Sequence, residues 1–187
     1  MKVRVLLNTD DSIKSILTGA PSLVDLNTPD QAYFIDDPDH AIDRTDYFDS
    51  NIRAFVSIGD APTDNHKFDY TTKQWLDTRT LDEIKTQKWS EIKSERDSLE
   101  FGGFEFEGNI YDSDQVSQSR IMGAAVAGID QTWTLADNTT VELSASQLQQ
   151  FYAALQAHIA SVHERGRIAR QLIFDAETKE QVEAVQL

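Results

Sequence analysis

The sequence has no cysteine. Disulfides, thiolate catalysis and cysteine-ligated zinc are therefore excluded. Nothing covalent staples the fold, so packing or oligomerisation must hold it together. The same lack fits a protein made in a bacterial cytoplasm. Positive charge is scarce: 17 Lys and Arg stand against 32 Asp and Glu, a formal net charge of −15. Binding to nucleic acid or to anionic lipid needs clustered Lys and Arg, so neither is an expected partner. No apolar run reaches the roughly 20 residues of a membrane span. In the opening MKVRVLLNTDD, Asn8, Asp10 and Asp11 cut the apolar stretch short. It reads as a strand over residues 3–7 and not as a secretion signal. The motifs GxSxG, HExxH, GxGxxG and GxxxxGK[ST] are all missing, so the expectation is a protein without enzymatic activity or cofactor.

Proline and glutamate are absent from opposite halves. All four prolines (Pro21, Pro29, Pro38, Pro62) lie by residue 62, and the first 79 residues hold 14 Asp and no Glu. After residue 80 glutamate appears and 3.6-residue periodicity takes over. Asp and Pro favour turns, whereas Glu favours helix. The expected fold class is α+β: a small β-rich region over residues 1–79, for docking or oligomerisation, and a module over 80–187. That module has three main helices and two β-hairpins.

In the first region the strand candidates are 3–7, 32–35 and 52–58, the last alternating Ile52, Ala54, Val56 and Ile58. Residues 11–17 read as a short helix capped by Asp10 or Asp11. Residues 19–31 read as a connector, and 68–76 as a hairpin. No internal repeat is evident. In the second region Thr80 and Glu83 form a capping box for a helix over 81–99. Trp89, Ile92, Arg96 and Leu99 share its buried face. Gly102-Gly103 ends it. Phe104 and Phe106 then alternate with Glu105 and Glu107. A Gly108-Asn109 turn sets Phe106 opposite Tyr111. Asp112, Ser113 and Asp114 supply oxygens to cap the next helix. Its Gly123, Ala124, Ala125, Ala127 and Gly128 imply a tightly packed central position. A hairpin over 131–143, with a three-residue loop at 137–139, pairs Leu135 with Val141 and Trp133 with Leu143. Ser144 or Ser146 caps a final long helix bearing Leu148, Phe151, Leu155, Ile159 and Val162. Gly166 is a point of kinking or interruption, and Ile168, Leu172 and Ile173 continue the apolar face. Residues 175–187 have helical character.

The pattern Trp89-x-x-Ile92-Lys93-x-x-Arg96, Gly102-Gly103-Phe104, Gly108, Asp112-Ser113-Asp114, Ser117-Gln118-Ser119-Arg120-Ile121-x-Gly123-Ala124 resembles a domain of unknown function. That domain occurs near the C-termini of tail proteins of tailed bacteriophages and prophages. Trp133-Thr134-Leu135-x-Asp137-Asn138, Val141, Leu143 and His158 are similar to its later part, so the resemblance covers residues 80–174. It brings no catalytic site. It implies a tail-associated structural role by protein–protein contact, at the tail tip, baseplate or fibre attachment, located in the virion. Other phage tail proteins and symmetry-related copies of the chain are the implied partners. Two other roles fit the composition. One is a tail-fibre assembly chaperone absent from the virion. The other is an acidic DNA mimic, which needs carboxylates spaced like phosphates.

Among chemically capable groups, Asp36-Asp37-Pro38-Asp39-His40 with Asp43, Asp46 and Asp49 has the oxygens of a calcium loop but not the spacing or glycine of an EF-hand. A solvated acidic loop accounts for it. His158 and His163 are five apart, off the i, i+4 ligand spacing; with His40 and His66 they are assigned to packing or surface. The Asp112–Asp114 pair is assigned to capping over acid–base work. Trp75, Trp89 and Trp133 are core or interface residues, and Arg165, Arg167 and Arg170 complement a helix C-terminus. The interaction residues singled out are Trp89, Ile92, Arg96, Phe104, Phe106, Asp112, Asp114, Arg120 and Trp133.

Overall fold

A computed structural model describes residues 1–36, 42–43 and 45–187. The chain divides into two compact units, Met1–Arg79 and Thr80–Leu187. The fold is mixed α+β, with short antiparallel strands in the first unit and helices dominating the second.

The first unit opens with β1 (Lys2–Leu7) and β2 (Ile13–Gly19), antiparallel neighbours. The expected helix over 11–17 is thus a strand. Asp10 does not cap a helix; its Oδ1 accepts from the Ser12 amide at 3.1 Å and hydroxyl at 2.6 Å, forming the turn that returns the chain. Asp11 takes the left-handed conformation there. A short helix α1 (Pro21–Leu26) occupies the supposed connector, with proline at its start, where the missing N–H is not needed. β3 (Phe34–Asp36) adds to the other edge of β1, giving the order β2-β1-β3.

Two hairpins complete the unit: β4 (Tyr47–Asp49) with β5 (Ala54–Val56), and β6 (His66–Asp69) with β7 (Gln74–Asp77). The single strand expected over 52–58 is therefore the turn and second arm of a hairpin, and Ile52 is exposed in that turn. The two hairpins are copies of one another. Phe48, Asp49, Arg53 and Phe55 return 20 positions later as Phe68, Asp69, Lys73 and Trp75. Phe48 pairs with Phe55 and Phe68 with Trp75, and both ring pairs meet edge to face. Each Asp accepts from the amide two residues on, and Arg53 and Lys73 both hold positive φ. This repeat was invisible as sequence, because only the ring positions, the turn Asp and a basic residue recur.

Arg4 anchors β3. Its Nε and Nη2 donate to the two carboxylate oxygens of Asp36 at 2.6 and 2.8 Å, and its guanidinium lies 3.8 Å from the Phe34 ring centre. The Arg4 bonds, with Lys2 Nζ at 3.1 Å, hold the Asp36 pKa down to about 2 from 3.8. The folded state thus favours the charged carboxylate. Its contribution is complete above the unfolded pKa and disappears as pH falls through the folded one. The first unit should lose stability between about pH 4 and pH 2. Asp36→Asn should be less stable at pH 5 and flatter over that window. Urea midpoints followed by β-sheet circular dichroism test this; identical acid limbs in both proteins would sink it.

The second unit is built on α2 (Leu81–Phe101) and α4 (Ala145–Asp175), each opened by a complete capping box, Thr80 with Glu83 and Ser144 with Gln147. α4 runs unbroken through Gly166. A Cβ there would stand 3.2 Å from Arg96 Cδ, so the glycine admits a crossing side chain and does not mark a break. Its buried line is Val162, Gly166, Ala169 and Ile173; Ile168 and Leu172 instead face outward. Leu99, expected inside, is also exposed, at 38%. α5 (Lys179–Glu183) folds back so that Val182 and Val185 join Ile84, Ile92, Ala169 and Ile173 in one core.

The second core of this unit lies toward the start of α4. Phe151 is fully buried, with Phe104, Phe106, Tyr111 and Trp133 around it at ring distances of 4.4 to 5.4 Å. These rings come from the hairpins β8 (Phe104–Phe106) with β9 (Asn109–Tyr111), and β10 (Gln131–Thr134) with β11 (Thr140–Leu143). Both registers differ from expectation. In the first hairpin the turn is Glu107-Gly108, both at positive φ, so Phe104 faces Tyr111 and Phe106 faces Asn109. A two-residue turn of that kind needs positive φ at both central positions. In the second, Trp133 faces Val141 and the loop is 136–138, with Asn138 left-handed. The expected register was off by two, which preserves the buried face.

α3 (Gln115–Ala127) links the two hairpins. It is not central. Only Ile121 and Ala124 are buried, and a Cβ on Gly123 would meet nothing within 4 Å. Of its small residues only Ala124 is buried, while Gly123, Ala127 and Gly128 are exposed.

Candidate interaction cleft

Three of the residues singled out by sequence come together in one place. Asp112, Arg120 and Trp133 line a cleft of about 560 Å³ between α3 and β10. Ser117, Gly123 and Ala124 complete the helix side. The other wall is the whole of β10, Gln131, Thr132, Trp133 and Thr134 in succession. Both walls are positioned by caps and pairing. Asp114 fixes the start of α3: its Oδ1 accepts from the Val116 and Ser117 amides at 2.9 and 3.2 Å, and its Oδ2 from the Ser117 hydroxyl at 2.6 Å. The Ser117 hydroxyl first, then these amides, keep its carboxyl below the usual range. Capping accounts for Asp114 completely, and it does not line the cleft.

Arg120 forms no ion pair and Trp133 Nε1 no hydrogen bond among the described residues. The cleft therefore offers a guanidinium and the Asp112 carboxylate to whatever enters it, while the Trp133 ring packs edge-on against Phe151.

The remaining residues singled out serve the cores. Ile92 is buried and Trp89 packs beside it, with the Arg170 guanidinium carbon 5.9 Å from the Trp89 ring. Arg96 donates to Asp97 at 2.7 Å and crosses Gly166. Phe104 and Phe106 belong to the Phe151 cluster. Trp75 donates to the Ile58 carbonyl at 3.0 Å.

The acidic and histidine groups are occupied locally. Asp36 pairs with Arg4, Asp46 accepts from the Asp43 amide, and Asp49 closes its hairpin turn. Asp37, Asp39 and His40 lie outside the described residues. Among those described, no three metal-ligating side chains converge. His158 bonds the Leu99 carbonyl and His163 the Glu100 carboxylate, each at 2.9 Å, clamping α4 to the end of α2; His66 meets the Thr63 hydroxyl. Arg167 pairs with Glu164.

Sequence reasoning missed the roles of three residues. Ser113 is fully buried and joins the end of α2 to the hairpin: its hydroxyl donates to the Glu100 carbonyl at 2.6 Å and accepts from the Gly103 amide at 2.9 Å. Only its place between two aspartates marked it. Thr132 and Thr134 had been placed on a hairpin, but no sequence signal says which edge of a two-stranded sheet is left open.

A family model described as Domain of unknown function (DUF4376) matches residues 83–186, more than half of the chain. No curated protein and no solved structure matches it.

Proposed function

The chain belongs to the DUF4376 family, and from that premise we propose that it is a structural component of a bacteriophage tail. It sits at the tail tip, baseplate or fibre attachment and works by protein–protein contact, with other tail proteins and further copies of itself as partners. The resemblance of residues 80–174 to a tail-associated domain supports the phage setting. The observation that carries the contact role is the outward face of α3. Val116 and Val126 there are 57 and 83% exposed, and Ile129, just past the helix end, is 62% exposed. Apolar side chains grouped on one exposed face favour a partner surface. Arg120 is the one charged residue of α3. In a chain of net charge −15, a helix whose one charge is positive is not repelled by an acidic neighbour.

Mass spectrometry and immunolabelling of purified mature particles test the proposal. Stoichiometric presence with label at the tail end is the expected result. Absence from particles, together with missing fibres when the gene is deleted, replaces it with the assembly-chaperone role. Absence with normal tails overturns both and favours the acidic inhibitor.

A further inference from the structure

The cleft has the geometry of a strand-addition site. β10 and β11 form a two-stranded sheet, so β10 pairs with no strand on its other side; just past its end the Ala136 amide donates to the Ile110 carbonyl of β9 at 3.0 Å, which bounds that edge. Which groups line that edge follows from the register. The Leu135 amide donates to the Thr139 carbonyl at 2.8 Å. Hydrogen-bonded and non-hydrogen-bonded pairs alternate along an antiparallel ladder. Trp133–Val141 and Gln131–Leu143 are therefore the bonded pairs, and Thr132–Glu142 and Thr134–Thr140 the others. The main-chain N–H and C=O groups of Thr132 and Thr134 point away from β11. No other main-chain group among the described residues bonds them, and both residues are exposed.

Opposite this edge, one side of α3 presents Ser117, Arg120, Gly123 and Ala124. From Ser117 to Ala124 the helix rises about 10 Å. The four residues of β10 span about 13 Å. The lengths match, and the space between them is the cleft. A third strand laid along β10 would meet two donors and two acceptors at the spacing of a ladder, with α3 as its other wall. Gly123 keeps that wall low, since nothing occupies the place of its Cβ.

Charge selects the occupant. Arg120 is the one cation lining the cleft and is without an ion pair among the described residues, while the Asp112 carboxylate lines the same cleft, so an acidic side chain is favoured only where it meets Arg120. We propose that the groove between β10 and α3 binds an extended peptide segment of a partner protein. The segment adds as a strand to the Thr132–Thr134 edge and sets an acidic side chain against Arg120. Main-chain bonds supply the affinity and the Arg120 contact the selectivity, as in other strand-addition sites. The inference deepens the contact reading but stands on different observations. A protein found in particles that fails the test below keeps the tail role, and one that passes but is absent from particles keeps the groove.

The probe is a random octapeptide library selected on the immobilised full-length chain, with binders then titrated into ¹⁵N-labelled protein. The expected binders carry Asp or Glu at one fixed position, and they shift the Thr132 and Thr134 amides and protect them from hydrogen exchange. Arg120→Glu should exchange that acidic preference for Lys or Arg. Gly123→Leu should weaken binding by about tenfold or more by filling the groove. This variant is expected to fold, because its side chain enters open space and leucine is the better helix former. The proposal is overturned by any of three results. They are the absence of enriched peptides, binders that leave both amides unshifted, and a wild-type chain that already protects these amides as a dimer in sedimentation.

Discussion

Phe151→Ala should remove about 3–5 kcal/mol from the stability of the second unit, the largest loss expected from any single truncation here. Phe151 is fully buried. Among the described residues it is the one ring touched by rings of both hairpins: Phe104 at 5.3 Å, Phe106 at 5.3 Å and Tyr111 at 4.4 Å from β8–β9, and Trp133 at 5.4 Å from β10. Truncation removes transfer free energy and leaves a cavity whose walls belong to separate hairpins. Those walls share few other ring contacts, although the Ala136 amide also donates to the Ile110 carbonyl between the two hairpins at 3.0 Å. Phe151→Leu, which keeps most of the volume, should cost about 1.5 kcal/mol or less. Urea unfolding followed by helical circular dichroism reads the second unit, where the long helices lie. A Phe151→Ala loss no larger than that of Phe151→Leu would mean the rings do not form one packed cluster.

Ser113→Ala should cost about 2–4 kcal/mol, much more than a surface serine. The hydroxyl is buried and satisfies two main-chain groups at once, the Glu100 carbonyl and the Gly103 amide. Alanine leaves both without a partner, and each buried orphan costs about 1–3 kcal/mol. The place matters as well. Gly103 holds φ 105° at the junction of α2 and β8, with the position of its absent Cβ 3.1 Å from the Tyr111 carbonyl oxygen. Of the side-chain bonds at this junction, the Ser113 hydroxyl alone joins the last turn of α2 to the Gly103 amide. Ser117→Ala is the control, because its hydroxyl serves only the exposed cap at Asp114. It should cost well under half as much. Equal losses for the two variants would be incompatible with a bridging role for Ser113.

What was legible in the sequence was mostly what a short window contains. Thr80-x-x-Glu83 and Ser144-x-x-Gln147 announce helix starts because the cap bonds close within four residues. Gly102-Gly103, Asp114 and the 3-4-4-3 spacing of Leu148, Phe151, Leu155, Ile159 and Val162 are local signals of the same kind. Parity was legible too. Trp133, Leu135, Val141 and Leu143 share a face because strand side chains alternate, and an error of two residues in register leaves that face intact. Residues 11–17 were misread because the same Asp that caps a helix also closes a hairpin turn. β1, lying beside them, decided which.

The sequence by itself determined the class of the protein. It has no cysteine, strong acidity, a change of composition near residue 80, two capped long helices and two aromatic-bearing hairpins. Each is a property of composition or of bonds between near neighbours. Only the tertiary structure decided which faces are covered. It put α3 at the periphery, with Gly123 and Val126 outward, although small residues read as tight packing. It turned Leu99, Ile168 and Leu172 to solvent and let Gly166 admit Arg96. It also left the Thr132–Thr134 edge open opposite Arg120. Burial and free edges depend on neighbours distant in the chain, and apolar or small residues carry no label for whether such a neighbour is present.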